Sequence, residues 1–191
     1  MDSQFLQKCI RGDRRAQFDL YKQCYPVLMA VCRRYRKNDD EVAAMVNAGF
    51  LKILDKLKSY KKDTPFEAWI KRIIINTLID DYRKNKKEKE HTFYAETPRL
   101  VVLGKAIDYN EADKQFDAGH IKSIIHRLPP VDKQVFNLYA IDGFSHKEIA
   151  TKLKFSEGTS KWYLSKARKQ IKAMLIAEMK HEEQMKTPGR G

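Results

Sequence analysis

The sequence predicts an all-α protein: two small helical domains joined by a flexible acidic linker, the C-terminal one containing a helix-turn-helix. Three observations carry that prediction. Apolar residues recur at helical spacing through most of the chain, and no segment reads convincingly as a strand. From about Glu88 to Gly119 the period is lost, with Pro98, Gly104 and Gly119 as punctuation. In the last third, Ser145 and Ser156 cap two helices in quick succession.

The elements follow in chain order. Ser3 to Ile10 is a short helix with Phe5, Leu6, Cys9 and Ile10 inward, stopped at Gly12-Asp13. A longer pattern runs from about Arg14 to Arg36, and Pro26 is expected to break or kink it, because proline lacks the N–H and clashes with the preceding turn. Asp39-Asp40-Glu41 supplies the next cap and an acidic first turn. Val42, Met45, Val46, Gly49, Phe50, Ile53, Leu54 and Leu57 then repeat as one helix face. After the polar loop Ser59 to Asp63, Thr64-Pro65-Phe66-Glu67 is a helix start, with Thr as N-cap and Pro at the first position. That helix carries Trp69, Ile70, Ile73, Ile74, Leu78 and Tyr82, apolar broadly enough to lie mid-bundle, and ends in a basic run. A polar stripe remains at Arg72, Asn76, Asp80 and Arg83; a satisfied polar seam and a nucleic-acid contact explain it equally well. Phe66 and Trp69 fall on the apolar side and read as core.

A structureless loop of about 30 residues is unusual inside one compact domain, so the aperiodic stretch divides the chain. The expected units are 1–90, a linker 91–119, a second domain 120–180 and a tail 181–191. The second domain opens with Ile121, Ile124, Ile125 and Leu128, then Pro129-Pro130. A helix follows through Val135, Phe136, Tyr139 and Ala140 to Asp142-Gly143.

Charge narrows the function. Residues 1–90 hold 21 Lys/Arg against 13 Asp/Glu, residues 91–120 hold 3 against 5, and residues 121–191 hold 14 against 7. Two basic blocks flank an acidic connector, which points to a polyanion touching both ends, nucleic acid ahead of anionic membrane. The chain has neither an apolar run of about 18 residues nor a signal-peptide core, so no membrane insertion is expected and the cytoplasm is the expected compartment. Cys9, Cys24 and Cys32 have no metal spacing and read as buried thiols. The five histidines are scattered, and no phosphate loop or nucleophile elbow appears, so neither an enzyme, a cofactor nor a metal site is expected.

The last third is the most explicit. Ser145 and Glu148 form a capping box behind Phe144, starting a helix at His146 that ends near Leu153. A turn of about three residues leads to Ser156 as N-cap, with Glu157 in the first turn. Helix, tight turn, helix is the geometry that lays a second helix in the DNA major groove. At about 100° per residue, Ser160, Leu164, Ala167, Ile171 and Leu175 share an apolar stripe. Opposite lie Gly158, Trp162, Ser165, Lys166 and Lys169, flanked by Lys161 and Arg168. Cations for phosphates and an aromatic for base edges suit a groove; a Trp packed on a neighbour with solvated lysines is the plain alternative.

Taken together, these pieces resemble a bacterial extracytoplasmic-function (ECF) sigma factor over nearly the whole chain. Gly12-Asp13, Leu20-Tyr21 and Tyr25-Pro26 look like the start of the family's region 2, and Phe66 to Ile73 with Asn76 and Asp80 like its promoter-melting helix. Leu128-Pro129-Pro130, Ser145 to Ala150, Glu157-Gly158-Thr159 and Lys166-Ala167-Arg168 look like region 4. The resemblance implies core RNA polymerase as partner, through its β′ clamp helices and β flap, together with promoter DNA and an anti-sigma factor. It implies −10 contacts from Tyr60, Lys61, Lys62, Arg72, Asn76, Asp80 and Arg83. It likewise implies −35 contacts from Ser156, Thr159, Lys161, Trp162, Ser165, Lys166, Arg168 and Lys169. One departure stands out. Where the family's polymerase-docking helix reads Asp-Leu-Val-Gln-Glu before an aromatic, this chain has Ala44-Met45-Val46-Asn47-Ala48 before Gly49-Phe50. The polar contacts that the resemblance implies shrink to Asn47, ahead of the aromatic Phe50; either Asp39, Asp40 and Glu41 compensate as docking residues, or the chain is a lineage variant with a matching polymerase.

A helix-turn-helix regulator with an N-terminal sensing or dimerising domain explains the last third equally well. It leaves the first basic block unexplained, and it predicts a dimer on a palindromic site instead of one copy per polymerase.

Overall fold

The computed structural model describes residues 2–90 and 118–186, all helix and turn, and the chain divides into two compact units, Met1–Ala95 and Glu96–Gly191. The acidic linker expected at 91–119 lies outside the described residues except for its last two positions, and residues 187–191 of the tail lie outside them as well.

Unit 1 holds α1 (Ser3–Ile10), α2 (Arg14–Tyr35), α3 (Asp39–Lys56), a 3₁₀ turn (Leu57–Ser59) and α4 (Phe66–Glu90). The starts of α1, α2 and α3 are capped by short polar side chains, that of α3 by Asn38 and not by the Asp39-Asp40-Glu41 run expected to supply the cap. Asp2 accepts from Gln4 and Phe5 N–H, Asp13 from Ala16 N–H, and Asn38 from Asp40 and Glu41 N–H. Helices α2, α3 and α4 pack on one another around Leu20, Leu28, Val46, Ile53, Ile70, Ile74 and Leu78, all fully buried. Each such side chain contributes roughly 2 kcal/mol of burial. Gly49 sets the α3–α4 distance: a Cβ there would stand 2.4 Å from Ile74 Cδ1. The three cysteines are buried and free, with burial pushing Cys24 and Cys32 up to about 12.

Two expectations are corrected here. Helix α2 runs through Pro26 without a break. Pro26 lies on the exposed side, where water can serve the carbonyl that loses its partner, while the opposite face is held by packing. Helix α4 begins at Phe66, with Pro65 carbonyl accepting from Trp69 N–H at 3.1 Å; the Thr64 hydroxyl turns to Asp63 instead of capping.

Unit 2 holds α5 (Ala118–Arg127), α6 (Pro130–Phe136), α7 (His146–Leu153) and α8 (Glu157–Lys186). Helix α5 therefore starts inside the stretch assigned to the linker, and α8 continues through position 180 into the stretch assigned to the tail. The helix expected to reach Asp142-Gly143 does so by passing, after Phe136, into a π-type turn, Asn137–Ile141. There Asp142 N–H donates to Asn137 carbonyl and Phe144 N–H to Leu138 carbonyl, both at 2.9 Å. Ile124, Ile125, Leu128, Ala167 and Ile171 join α5 to α8.

Candidate nucleic-acid interface

The helix-turn-helix is built as its caps require. Ser145 Oγ accepts from Glu148 N–H (3.2 Å), while the Glu148 carboxylate accepts from Ser145 N–H (2.9 Å) and its hydroxyl (2.8 Å). Lys154, at φ +59°, closes α7 in the left-handed conformation; its N–H and that of Phe155 both donate to Ala150 carbonyl. Ser156 Oγ then accepts from Thr159 N–H at 3.0 Å and starts α8. Two contacts fix α8 against α7 and the π-type turn. His146 Nδ1 and Ser160 Oγ share a 3.0 Å hydrogen bond, and the His146 ring stacks on Tyr139 with centroids 4.3 Å apart. Burial first, then Lys161, lowers the His146 pKa, favouring the neutral ring that this packing suits.

On α8 the buried stripe is the expected one: Ser160, Leu164, Ala167 and Ile171 are inside, and Leu175 is half-buried. Lys161 and Lys169 are exposed, and Trp162 and Ser165 are half-exposed. Lys161 bridges to Glu157 at 2.8 Å, one turn back. Two members of the expected set are engaged elsewhere. Lys166 Nζ stands 3.1 Å from Asp132 Oδ2 and 5.2 Å from the Trp162 ring centroid, and Arg168 lies 5.9 Å over Tyr139. Lys166 is therefore not a free cation on the outer face; its long stem folds back toward α6. Ser156 and Thr159 hydroxyls bond each other at 2.8 Å as part of the cap.

In unit 1, the loop before α4 carries an aromatic cluster. The Tyr60 ring lies edge-on to Phe66 (5.2 Å) and tilted against Trp69 (5.0 Å), while Tyr60 hydroxyl donates to Thr64 carbonyl at 2.8 Å. All three rings are half-buried, which corrects the expectation that Phe66 and Trp69 are core. Lys61 and Lys62 are exposed beside the cluster, with Lys62 Nζ bonded to Ser3 Oγ. Along α4, Arg72 and Asp80 are exposed, while Asn76 and Arg83 are half-buried. Lys52 of α3 reaches Asp80 at 3.3 Å, so the one acidic member of that polar stripe carries its own counter-charge.

The docking residues sit on α3. Asp39 and Glu41 pair with Arg33 (3.8 Å) and Arg36 (3.6 Å), and Asp40 is exposed. Asn47 accepts from Tyr21 hydroxyl at 3.3 Å, and Phe50 meets the Tyr21 ring edge-on at 5.0 Å. Sequence reasoning did not single out Leu51 on α3 or Phe18 on α2, each 61% exposed; Tyr25 on α2 is 42% exposed. Their signal was present, since Leu51 falls outside the Val42/Val46/Gly49/Ile53 stripe and Phe18 outside the Ala16/Leu20/Cys24 stripe. Asp132 was missed as well, because an acidic residue in a helix's first turn reads as a solvated partner of the dipole. Among the described residues no cluster could hold a metal ion, and no helix is long and apolar enough to cross a membrane.

Residues 20–88 match the family model Sigma-70 region 2, and residues 120–171 match Sigma-70, region 4. Both halves stand in order along one chain, each with the helices described above. The chain belongs to the ECF sigma factors. This sigma factor is 24% identical over 177 residues to RNA polymerase sigma-H factor of Pseudomonas aeruginosa, covering 89% of this chain and 91% of that one. It is 26% identical over 163 residues to sigma factor SigZ of Bacillus subtilis (82% and 85% covered), and 25% identical over 155 residues to the ECF sigma factor EcfG of Rhodopseudomonas palustris (80% and 81%). Among solved structures, RpoE of Bartonella quintana in complex with the anti-sigma factor NepR is 21% identical, with a TM-score of 0.49 and 83% and 97% of the chains covered. As a sigma factor, the chain binds core RNA polymerase and promoter DNA and acts in transcription initiation.

Proposed function

We propose that the two units divide promoter recognition as their surfaces suggest: unit 2 reads the −35 element through α8, and unit 1 captures and melts the −10 element. The observation that carries the reading is the outer face of α8, where Trp162, Ser165 and Lys169 remain accessible with Lys161 beside them, on the second helix of a tightly capped helix-turn-helix. Ser156 and Thr159 serve that face by presenting the N-terminus of α8, whose backbone N–H groups suit a phosphate. Arg168 takes a flanking place, near the Tyr139 ring. In unit 1, Tyr60, Phe66 and Trp69 offer ring faces for an unstacked base, with Lys61, Lys62, Arg72, Asn76 and Arg83 along the strand path. Unstacking costs a few kcal/mol per step, and stacking on aromatics returns about 1–3 kcal/mol per base.

The polymerase meets this chain through the outward face of α3. That face offers Asn47, Phe50 and exposed Leu51, with Asp39, Asp40 and Glu41 at its N-terminal end, to the β′ clamp helices. Unit 2 meets the β flap, and an anti-sigma factor covers these surfaces until a signal releases them. The chain works in the cytoplasm. The test is reconstitution: purified chain is mixed with core RNA polymerase and a pool of genomic promoter fragments, and run-off transcripts are sequenced. Transcripts from a defined subset, absent without the chain, support the reading and reveal both promoter elements. A chain that footprints duplex DNA alone and gives core polymerase no promoter preference would instead be a helix-turn-helix regulator.

A further inference from the structure

Asp132 is the one fully buried carboxylate among the described residues, set in the first turn of α6 against α8. The cation that answers it is Lys166, on the recognition helix, 3.1 Å from Oδ2. Burial raises the Asp132 pKa, and Lys166 opposes that shift. The same Nζ lies 5.2 Å from the Trp162 ring centroid, so one ammonium faces both the carboxylate and the indole, while Tyr163 packs edge-on with that ring at 4.9 Å.

A buried ion pair is a poor way to gain stability, because apolar side chains of similar volume usually do as well or better. What it supplies is a single geometry. Moving Lys166 onto a phosphate would strand Asp132 as an uncompensated buried charge, a larger penalty than one phosphate contact returns. The lysine therefore stays with Asp132 when DNA binds, and its outer role is to hold the indole.

We propose that Asp132 is a positioning residue for upstream-element specificity: from the interior of unit 2 it fixes Lys166 on the flank of α8, and Lys166 fixes the Trp162 ring against the groove. The proposal rests on the reading of α8 as the recognition helix.

The experiment uses holoenzyme assembled from the full chain and core polymerase, transcribing a promoter library with a randomised upstream element. Four chains are compared: parent, Asp132→Asn, the paired apolar replacement Asp132→Leu/Lys166→Met, and Trp162→Ala. The apolar pair is expected to keep the parent's thermal midpoint within a few degrees and to bind core polymerase equally well. Its preference among upstream bases should nevertheless fall by about fivefold or more at the positions that Trp162→Ala relaxes. Asp132→Asn should relax the same positions. In a Trp69→Phe background, indole emission should become more accessible to acrylamide in the apolar pair, which a purely structural role for Asp132 would not produce. Unchanged base preference in both Asp132 variants, with Trp162→Ala relaxed, overturns the proposal and leaves the recognition helix standing. Unchanged preference in all variants removes the recognition-helix reading, and the proposal with it.

Discussion

The two units are both helical and both basic, yet they bury different things. Among the described residues of unit 1 the only buried polar side chain is Thr77, which returns its hydroxyl to Ile73 carbonyl at 2.9 Å. Unit 2 buries Asp132, Gln134, Asn137 and Ser160. Unit 1 instead places its unusual residues outside, where Phe18 and Leu51 are the most exposed of the large apolar side chains described. An apolar core tolerates small rotations of its helices, whereas a buried polar contact has few good geometries. On the proposed reading of α8 as the DNA-reading helix, the unit that must present side chains in register is the one that carries such contacts. The unit with an apolar outer face suits broad contact with another protein.

That contrast can be broken at several points. The largest effect belongs to the apolar core. Ile74→Ala should cost about 3 kcal/mol in chemical denaturation, by lost burial and a cavity beneath Gly49. Adding Gly49→Ala should recover about 1 kcal/mol, since the new Cβ enters the space that Ile74 vacates and alanine favours the helix. Recovery failing would mean that α3 and α4 had already closed the gap.

Next is the apolar outer face. Leu51→Asp should leave folding unchanged and weaken binding to core polymerase by about tenfold, read by fluorescence anisotropy of labelled chain. Unaltered affinity would move the docking site elsewhere on unit 1.

Smaller effects belong to unit 2. Ser145→Ala removes half of the capping box and should cost about 1 kcal/mol of stability, with Ser145→Asp restoring most of it. The smallest concerns pH. Asp132 has a raised pKa in the folded chain, so its protonation favours the folded state: the contribution is complete below the ordinary carboxylate range and is lost as pH rises through the raised value. Parent should therefore gain stability relative to Asp132→Asn on acidification from neutral toward that range. The surface carboxylates Asp19, Glu157 and Glu178 shift the opposite way, but they are common to both chains and cancel. An opposite slope would show that Lys166 outweighs burial.

The sequence by itself determined the helices, the caps of the helix-turn-helix and the apolar stripes, because caps and periodicity are local: Ser145 with Glu148 and Ser156 with Thr159 are readable within about one turn, and Val42/Val46/Gly49/Ile53 within about three. Division into two units and membership of the sigma family were legible for a similar reason, since they rest on motif order along the chain. The tertiary structure decided what each outward residue faces. Pro26 passes inside α2 because packing on the far side outweighs one lost hydrogen bond. Asp80 and Lys166 each acquire a partner from another helix, Lys52 and Asp132, and nothing within their own helical neighbourhoods announces it. Charge reaches across helices that lie far apart in sequence, so the same lysine can read as a free DNA contact in one dimension and as a tether in three.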